Sequence, residues 1–243
     1  MSERGRARDR TLKLFRQVIR RSLTLPEHLT ISQWAEKYRI LDESSNLSGR
    51  WSNDITPYLV GIWDAYLEQS VREIYFCKAT QIGGTEALIN ILGYIIMHDP
   101  APAMIVYPND DLAKDISSKR LRPAMRLIPE IRKIFQETRS KDMLLQFRSM
   151  PLYLRGAGSP TKLASVVYAC STPTLKDNYI WRLHDNADEV RHYFVPCPHC
   201  GEFIELKFKQ IHFDEDQEKK LSPYERAQSS QYVCQECGCV IED

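Results

Sequence analysis

At 243 residues the chain can hold one sizeable core and a small appendage. Its 43% hydrophobic and 27% charged residues are those of an ordinary globular protein, and a net charge of +1 gives no whole-molecule field toward a polyanion. No apolar run approaches the roughly 20 residues a membrane span needs, so no membrane partner is expected.

Charge is distributed unevenly. Met1–Arg21 carries eight Lys and Arg against Glu3 and Asp9. The stretch lacks the apolar centre of a secretory signal; it could pass for an organellar transit peptide, but nothing marks a cleavage site. Arg10–Arg21 sets Leu12, Phe15, Val18 and Ile19 on one helical face with arginines around the rest. That is either a solvated amphipathic helix or an arm that docks on nucleic acid or a partner subunit. Residues 1–30 are expected to form a basic N-terminal arm, of which Met1–Arg21 is ordered only with such a partner. Thr30-Ile31-Ser32-Gln33 has capping-box spacing and predicts a short helix over Ile31–Tyr38. Ser44–Asn53 reads as a polar loop containing Gly49. Thr56 and Pro57 read as the N-cap and first position of a helix that continues over Tyr58–Gln69 and packs Leu59, Ile62, Trp63, Tyr66 and Leu67.

The stretch that organises the chain is Arg72–Glu86, REIYFCKATQIGGTE. Ile74–Cys77 is a short, β-favouring apolar run that predicts a buried strand. Lys78–Thr85 is a glycine-bearing loop, and a helical pattern follows from Ala87 and ends before Pro100. Strand, glycine loop and helix lay out a phosphate cradle, because loop N–H groups and a helix N-terminus both turn positive dipole toward an anion. In the register of the G-x-x-x-x-G-K-[ST] motif, Gly83 takes the second glycine, Gly84 the usual lysine position and Lys78 the first position. The lysine has thus moved to the front of the loop, while Thr85 keeps the place of the Mg²⁺-holding hydroxyl. A glycine pair between a strand and a helix also serves a plain tight turn.

Ala103–Tyr107 predicts a second buried strand, broken at Pro108, with Asn109 capping a helix over Asp110–Leu121. Ser118–Arg122 places three cations in five residues, a wet helix face or a phosphate contact. Ile128–Gln136 reads as a helix, and Met143–Arg148 and Leu152–Arg155 as two strands around a turn at Ser149–Pro151. Gly156–Pro160 is a flexible loop. Val166–Cys170 is a further apolar strand that runs into Ser171-Thr172-Pro173-Thr174, hydroxyls at a strand end where parallel sheets bind ligands. A helix is expected near Asn178–His184. Strand–helix alternation implies a largely parallel α/β sheet.

The seven cysteines include two C-x-x-C-G knuckles, Cys197–Gly201 and Cys234–Gly238. Each knuckle turns sharply, the glycine relieves the turn, and four thiolates facing one point make a closed, structural Zn²⁺ site of Cys197, Cys200, Cys234 and Cys237. The other readings are free thiols or a redox pair, for which the surrounding βαβ context is missing. His199 is not needed for coordination, Cys239 is a spare thiol, and Cys77 and Cys170 read as buried strand residues. Phe203–Phe208 alternates apolar and polar residues, so a β-ribbon is expected between the knuckles.

In order, WAEKYR, SGRW, TPYLVGIWDA, REIYFCKATQIGGTEALIN, HDPAPAMIVYPND, SKRLRPAM, LYLRGAGSPTKLAS, STPT and YFVPCPHCGE with YVCQECG resemble the large subunit of tailed-bacteriophage terminases of the lambda-like GpA family. The likeness runs from about Ser32 to Glu242. It implies an α/β fold with a P-loop (ASCE-type) NTPase sheet flanked by helices over residues 31–190 and a zinc-ribbon-like β element over 191–243. It implies a motor that hydrolyses ATP with Mg²⁺ to package viral DNA, with Zn²⁺ in the ribbon and a bacterial host cytoplasm as its location. Its partners would be double-stranded viral DNA, the terminase small subunit, the portal of the procapsid and further copies of itself.

By the same likeness Lys78 is the displaced P-loop lysine, Thr85 the Mg²⁺-holding hydroxyl and Tyr58 the aromatic that packs on adenine. Gln81, Gly83 and Gly84 complete the nucleotide-binding set, and Ser171–Thr174, through Thr172 and Thr174, form the motif that couples nucleotide state to DNA grip. Two departures are expected. The family's acidic Walker B strand should follow Ser165, but Val166 follows directly, and Asp188-Glu189 is the nearby acidic pair left to substitute. The chain also stops just past the second knuckle, where the family continues into a nuclease domain. The expectation is therefore a terminase large subunit that lacks these parts; the alternative is a prophage remnant that binds nucleotide or DNA without turnover.

Overall fold

The computed structural model describes residues 15, 27–41, 48–157, 167–172, 179–212, 227 and 229–241. The expected basic arm lies outside the described residues apart from Phe15 and Glu27–Thr30, as do residues 44–47 of the loop expected over Ser44–Asn53. Clustering of the chain gives two compact units, residues 1–183 and 184–243. Among the described residues no helix is long and apolar enough to cross a membrane.

The first unit begins with α1 (Ile31–Tyr38), which starts on a complete capping box: Thr30 Oγ1 accepts from the Gln33 N–H at 3.2 Å, and Gln33 Oε1 accepts from the Thr30 N–H at 3.0 Å. Its Ile31, Trp34 and Ala35 are fully buried. β1 (Ile40–Leu41) then pairs with β2 (Gly49–Arg50), so the end of the expected polar loop is a short antiparallel edge. α2 (Pro57–Asp64) starts at Pro57 as expected, but Thr56 makes no side-chain cap bond. A 3₁₀ turn, Ala65–Leu67, ends this segment earlier than the helical pattern implies. Leu59 and Trp63 are buried, Ile62 and Tyr66 pack at the margin, and Leu67 is exposed. Asp64 ties α2 to α1 by accepting from the Ser32 N–H at 2.8 Å and the Ser32 hydroxyl at 2.5 Å.

β3 (Glu73–Cys77) delivers the chain to the glycine loop and α3 (Gly84–His98). α3 is apolar on most faces, with Ile89, Ile91, Leu92, Ile95 and Ile96 buried, as a helix enclosed on several sides requires. α1 lies against it through Trp34. A Cβ added to Gly93 would fall inside the Trp34 ring, so the absence of a side chain there sets how closely the two helices approach. The Trp34 indole N–H donates to Met97 Sδ one turn further along α3 at 3.3 Å.

After β4 (Ala103–Tyr107), Asn109 caps α4 (Asp110–Ile116) by accepting from the Leu112 N–H at 2.8 Å. The pattern continues as a π-helical turn over Ser117–Leu121 and then α5 (Arg122–Leu127), so the expected helix to Leu121 widens in its last turn. α6 (Pro129–Ile134), β5 (Leu144–Gln146), β6 (Pro151–Gly156), β7 (Val167–Ser171) and α7 (Tyr179–Asp185) follow.

The strands pair in parallel, as the alternation implies, but in two blocks. β3 pairs with β7, Glu73 opposite Val167 through Cys77 opposite Ser171. β4 pairs with β6, which carries β5 antiparallel on its other edge. Among the described residues the two blocks share no ladder, where the sequence implies one largely parallel sheet.

In the second unit β8 (Val195–Pro196) pairs with β9 (Phe203–Ile204), and β10 (Ile211–His212), β11 (Gln231–Val233) and β12 (Val240–Ile241) form an antiparallel sheet. The ribbon expected over Phe203–Phe208 is strand only at Phe203–Ile204. A 3₁₀ turn, Phe208–Gln210, takes its far end, and Phe203, Leu206 and Phe208 are exposed, so among the described residues no opposing layer rewards the alternation.

Gly93→Ala tests the α1–α3 contact. Alanine gains about 0.5–1 kcal/mol of helix propensity, but overpacking against Trp34 costs about 1–3 kcal/mol. Urea denaturation should show a lower midpoint than the parent, and a raised midpoint would mean that Trp34 does not set this spacing.

Candidate nucleotide site and candidate metal centre

The loop after β3 turns through two left-handed residues before α3. Gln81 has φ 62° and Gly83 φ 82°, both in the left-handed region. Gly83 is the N-cap of α3 and its carbonyl accepts the Ala87 N–H at 2.9 Å. The N–H groups of Gly84, Thr85 and Glu86 therefore have no partner within the helix, and they carry its positive end. A Cβ on Gly83 would lie 2.9 Å from Leu59 Cδ1, so the start of α2 presses on the loop; Tyr58, the next residue back, is half-buried against the core.

Lys78 reaches this helix end from the front. Its aliphatic stem lies across Gly84 where a side chain would otherwise stand, and its Nζ donates to the Ala79 carbonyl at 3.1 Å. The displaced lysine and the glycine in the usual lysine position are thus one arrangement: Gly84 is bare because Lys78 occupies its space. The Lys78 N–H donates to the Ser171 carbonyl at 3.1 Å, continuing the β3–β7 ladder and placing the Ser171–Thr172 end beside the loop. Thr85 is exposed. The structure brings Lys78, Gln81, Gly83, Gly84, Thr85 and Thr172 to one strand edge; Thr174 lies outside the described residues.

Three side chains lie around the end of β7, and one of them, Cys170, feels the lysine charge. Cys170 is exposed by surface area and Cys77 half-buried, so neither is the core residue the sequence implies. The Cys170 sulfur stands 3.4 Å from the position of a Gly84 Cβ. Its packed surroundings push the thiol pKa up, against the nearby Tyr168 hydroxyl and the Lys78 charge. Tyr168 donates to the Gly84 carbonyl at 3.4 Å, and burial holds its phenol well above the ordinary range. Tyr107, at the end of β4, is pushed up to about 12 by burial and by the neighbouring Cys170. The end of β4 is therefore close to the end of β7 although no ladder joins them.

The second unit gathers Cys197, Cys200, Cys234 and Cys237, whose sulfurs all lie within 4.8 Å of one another. The Cys197–Cys237 and Cys200–Cys234 separations are 3.9 and 4.0 Å. Tetrahedral Zn–S bonds of about 2.3 Å put sulfurs about 3.8 Å apart, so the four residues fit the ion. The knuckles repeat one another. The Gly201 N–H donates to the Cys197 carbonyl and the Gly238 N–H to the Cys234 carbonyl, while Cys197 and Cys234 donate to the carbonyls of Glu202 and Cys239. Gly201 (φ 77°) and Gly238 (φ 70°) supply the left-handed turn after each pair. The Cys200 backbone N–H directed at its sulfur pulls the Cys197 thiol down to about 6, whereas burial and the neighbouring thiols push Cys200 up and Cys237 up to about 12. His199 is held by a 2.8 Å hydrogen bond between Nε2 and the Val240 carbonyl, away from ligation.

The profile described as phage terminase large subunit gpA, ATPase domain, matches residues 45–170 and 164–243. The chain belongs to this terminase family. It is 27% identical over 274 aligned positions to the terminase large subunit of Enterobacteria phage P21, covering 90% of this chain and 41% of that protein. It is 25% identical over 269 positions to the terminase large subunit of Escherichia phage lambda, covering 91% and 41%. The chain thus spans about two-fifths of the length of these curated relatives. Both alignments are longer than the 243-residue chain, so part of each faces gaps in it, and the terminase profile matches in two stretches that meet at residues 164–170.

Two acidic groups stand differently from the sequence reading. Asp188 and Glu189 belong to the second unit, outside any strand, and Glu189 pairs with Arg191 at 2.6 Å. In the first unit Asp110 follows the end of β4 and its Oδ1 accepts from the Gly156 N–H at 2.7 Å. Sequence reasoning also missed Arg39, which is buried and paired with Glu86 in the first turn of α3. No spacing rule links residues so far apart.

The two loop glycines should respond oppositely to alanine. At Gly83 the left-handed backbone and Leu59 both resist a side chain, and stability should fall by about 1–2 kcal/mol. At Gly84 the backbone is helical and only the flexible Lys78 stem must move, so stability should stay within about 0.5 kcal/mol of the parent. Chemical denaturation of the two variants measures this, and equal losses would contradict the Lys78–Gly84 arrangement.

Proposed function

We propose that the first unit binds ATP with Mg²⁺ at the start of α3, that the second unit holds one structural Zn²⁺, and that the chain serves the ATP-driven DNA packaging of a terminase large subunit. The observation that carries the nucleotide reading is Lys78 laid over Gly84 beside the outward N–H groups of α3. Its partners would be double-stranded viral DNA, the small subunit, the portal of the procapsid and further copies of the chain.

Each residue has a role that its position supports. The Gln81–Thr85 amides cradle the phosphates and the Lys78 ammonium balances their charge. Bound Mg²⁺ would supply further charge neutralisation at the β- and γ-phosphates, and Thr85 offers it one neutral oxygen. Tyr58 stacks on the base. Ser171 and Thr172, tied to Lys78 through the ladder, report the state of the loop to the rest of β7, with Thr174 completing the motif. The Cys197, Cys200, Cys234 and Cys237 thiolates close a tetrahedral site that leaves no open position for chemistry.

Binding and turnover separate in this chain. The resemblance implies Walker B acids after Ser165, and the two profile matches meet at residues 164–170. A carboxylate there polarises the metal and sits near the attacking water. Losing a charge-stabilising contact of that kind costs roughly 10²–10³ in rate. The reading is therefore of a nucleotide-binding terminase segment with slow turnover, which favours the remnant alternative as regards chemistry.

Three measurements test this. ATP should bind the parent and be lost in Lys78→Ala, with steady-state hydrolysis negligible even with double-stranded DNA present. Several turnovers per second would overturn the slow-turnover reading and send the search for the acid to Asp110 first. Metal analysis should give close to one zinc per chain, and Cys234→Ser should release it and loosen residues 197–241. A zinc-free protein with those residues still ordered would contradict the metal centre.

A further inference from the structure

We propose that Arg39 is a positioning residue for the phosphate loop, holding the charge of Glu86 away from a bound anion; this rests on the nucleotide reading above. Glu86 is the third residue of α3 and follows Thr85 directly. Its backbone N–H belongs to the set that faces an anion, but its side chain is a carboxylate at the same helix end. A carboxylate there suits a bare helix, because it interacts well with the N-terminal dipole. It suits a phosphate cradle poorly, because it adds a like charge within one turn of the ligand.

Arg39 resolves that conflict. Its guanidinium is buried, with the side chain 3% exposed, and Nη2 donates to Glu86 Oε2 at 2.6 Å. Nη1 donates to the Ile40 carbonyl at 2.6 Å, so the guanidinium is held from both sides. Arg39 is fixed by its backbone as well. Its N–H donates to the Ala35 carbonyl at the end of α1, and its carbonyl accepts the Trp51 N–H. The pair opens onto a small cleft lined by Leu41, Ile89, Arg120, Ala124 and Leu127. Arg120 sits exposed on the π-helical turn, where solvent screens it, so the charge that balances Glu86 at close range is that of Arg39.

The placement also fixes the angle of α3. Glu86 and Gly93 lie seven residues apart and so share a helical face. α1 meets that face at both places, through Arg39 on Glu86 and through Trp34 on Gly93. The first turn of α3 is thereby clamped by the same short helix that sets its packing.

The inference makes a sign prediction that a purely structural role does not. Binding of Mg²⁺–ATP and of inorganic tripolyphosphate is measured by calorimetry on the full chain, with the melting temperature of each variant. Arg39→Met leaves the Glu86 carboxylate unbalanced and should weaken both probes roughly fivefold to thirtyfold. Glu86→Gln leaves the Arg39 cation unbalanced and should tighten tripolyphosphate binding, even if the melting temperature drops. The double variant Arg39→Met with Glu86→Gln should recover to within about threefold of the parent, a reversal beyond additive expectation.

If Glu86→Gln weakens tripolyphosphate binding, or the double variant is as weak as Arg39→Met, the pair is only a structural clamp and the inference is wrong. Glu86→Gln keeps the test decisive should Arg39→Met fail to fold. A parent that binds tripolyphosphate but not ATP overturns the nucleotide reading and leaves the charge balance to be judged on tripolyphosphate. A parent that binds neither overturns both.

Discussion

The site depends on one steric exchange: Lys78 can come in from the front of the loop only because Gly84 has no side chain. A phosphate cradle needs a cation close to a bundle of outward N–H groups, and a side chain at Gly84 would fill the path the Lys78 stem takes. Once that path is used, the other features fall into place around it. Gly83 must be left-handed to turn the chain into α3, and Leu59 presses on it from α2. Ser171 must accept the Lys78 N–H, so β7 ends beside the loop.

The second constraint is the close approach of α1 to α3. Trp34 against Gly93 brings the helices together, and Arg39 on Glu86 holds the phosphate end of α3 to the same short helix. An ion pair this enclosed is a weak source of stability, because desolvation offsets much of the attraction. Its value lies in where it puts charge. The cysteine cluster of the second unit is a separate device, with its own backbone repeat of knuckle and glycine.

Local chemistry was legible in the sequence where a motif carries its own geometry. The capping box fixed α1 at Ile31–Tyr38, Asn109 caps α4, and the C-x-x-C-G spacing brings four sulfurs together. The strand–loop–helix order held in β3 and α3 because the three follow directly along the chain. What failed was non-local. No period in the sequence announces that β4–β6 and β3–β7 pair separately, since ladder partners come from distant segments. Alternation in Phe203–Phe208 implies a ribbon, but among the described residues nothing covers Phe203, Leu206 and Phe208. The π-helical turn at Ser117–Leu121 looks like ordinary helix by composition, and the Arg39–Glu86 pair joins residues that no spacing rule connects.

The central claim is that Lys78 and the first turn of α3 hold a triphosphate. The most direct test is a crystal structure of the chain with Mg²⁺ and a non-hydrolysable ATP analogue. The account predicts phosphate oxygens within hydrogen-bond reach of the Gly83, Gly84 and Thr85 N–H groups, with Lys78 Nζ released from the Ala79 carbonyl to meet them. An analogue bound elsewhere, or Lys78 still directed at Ala79 with the loop empty, would contradict it.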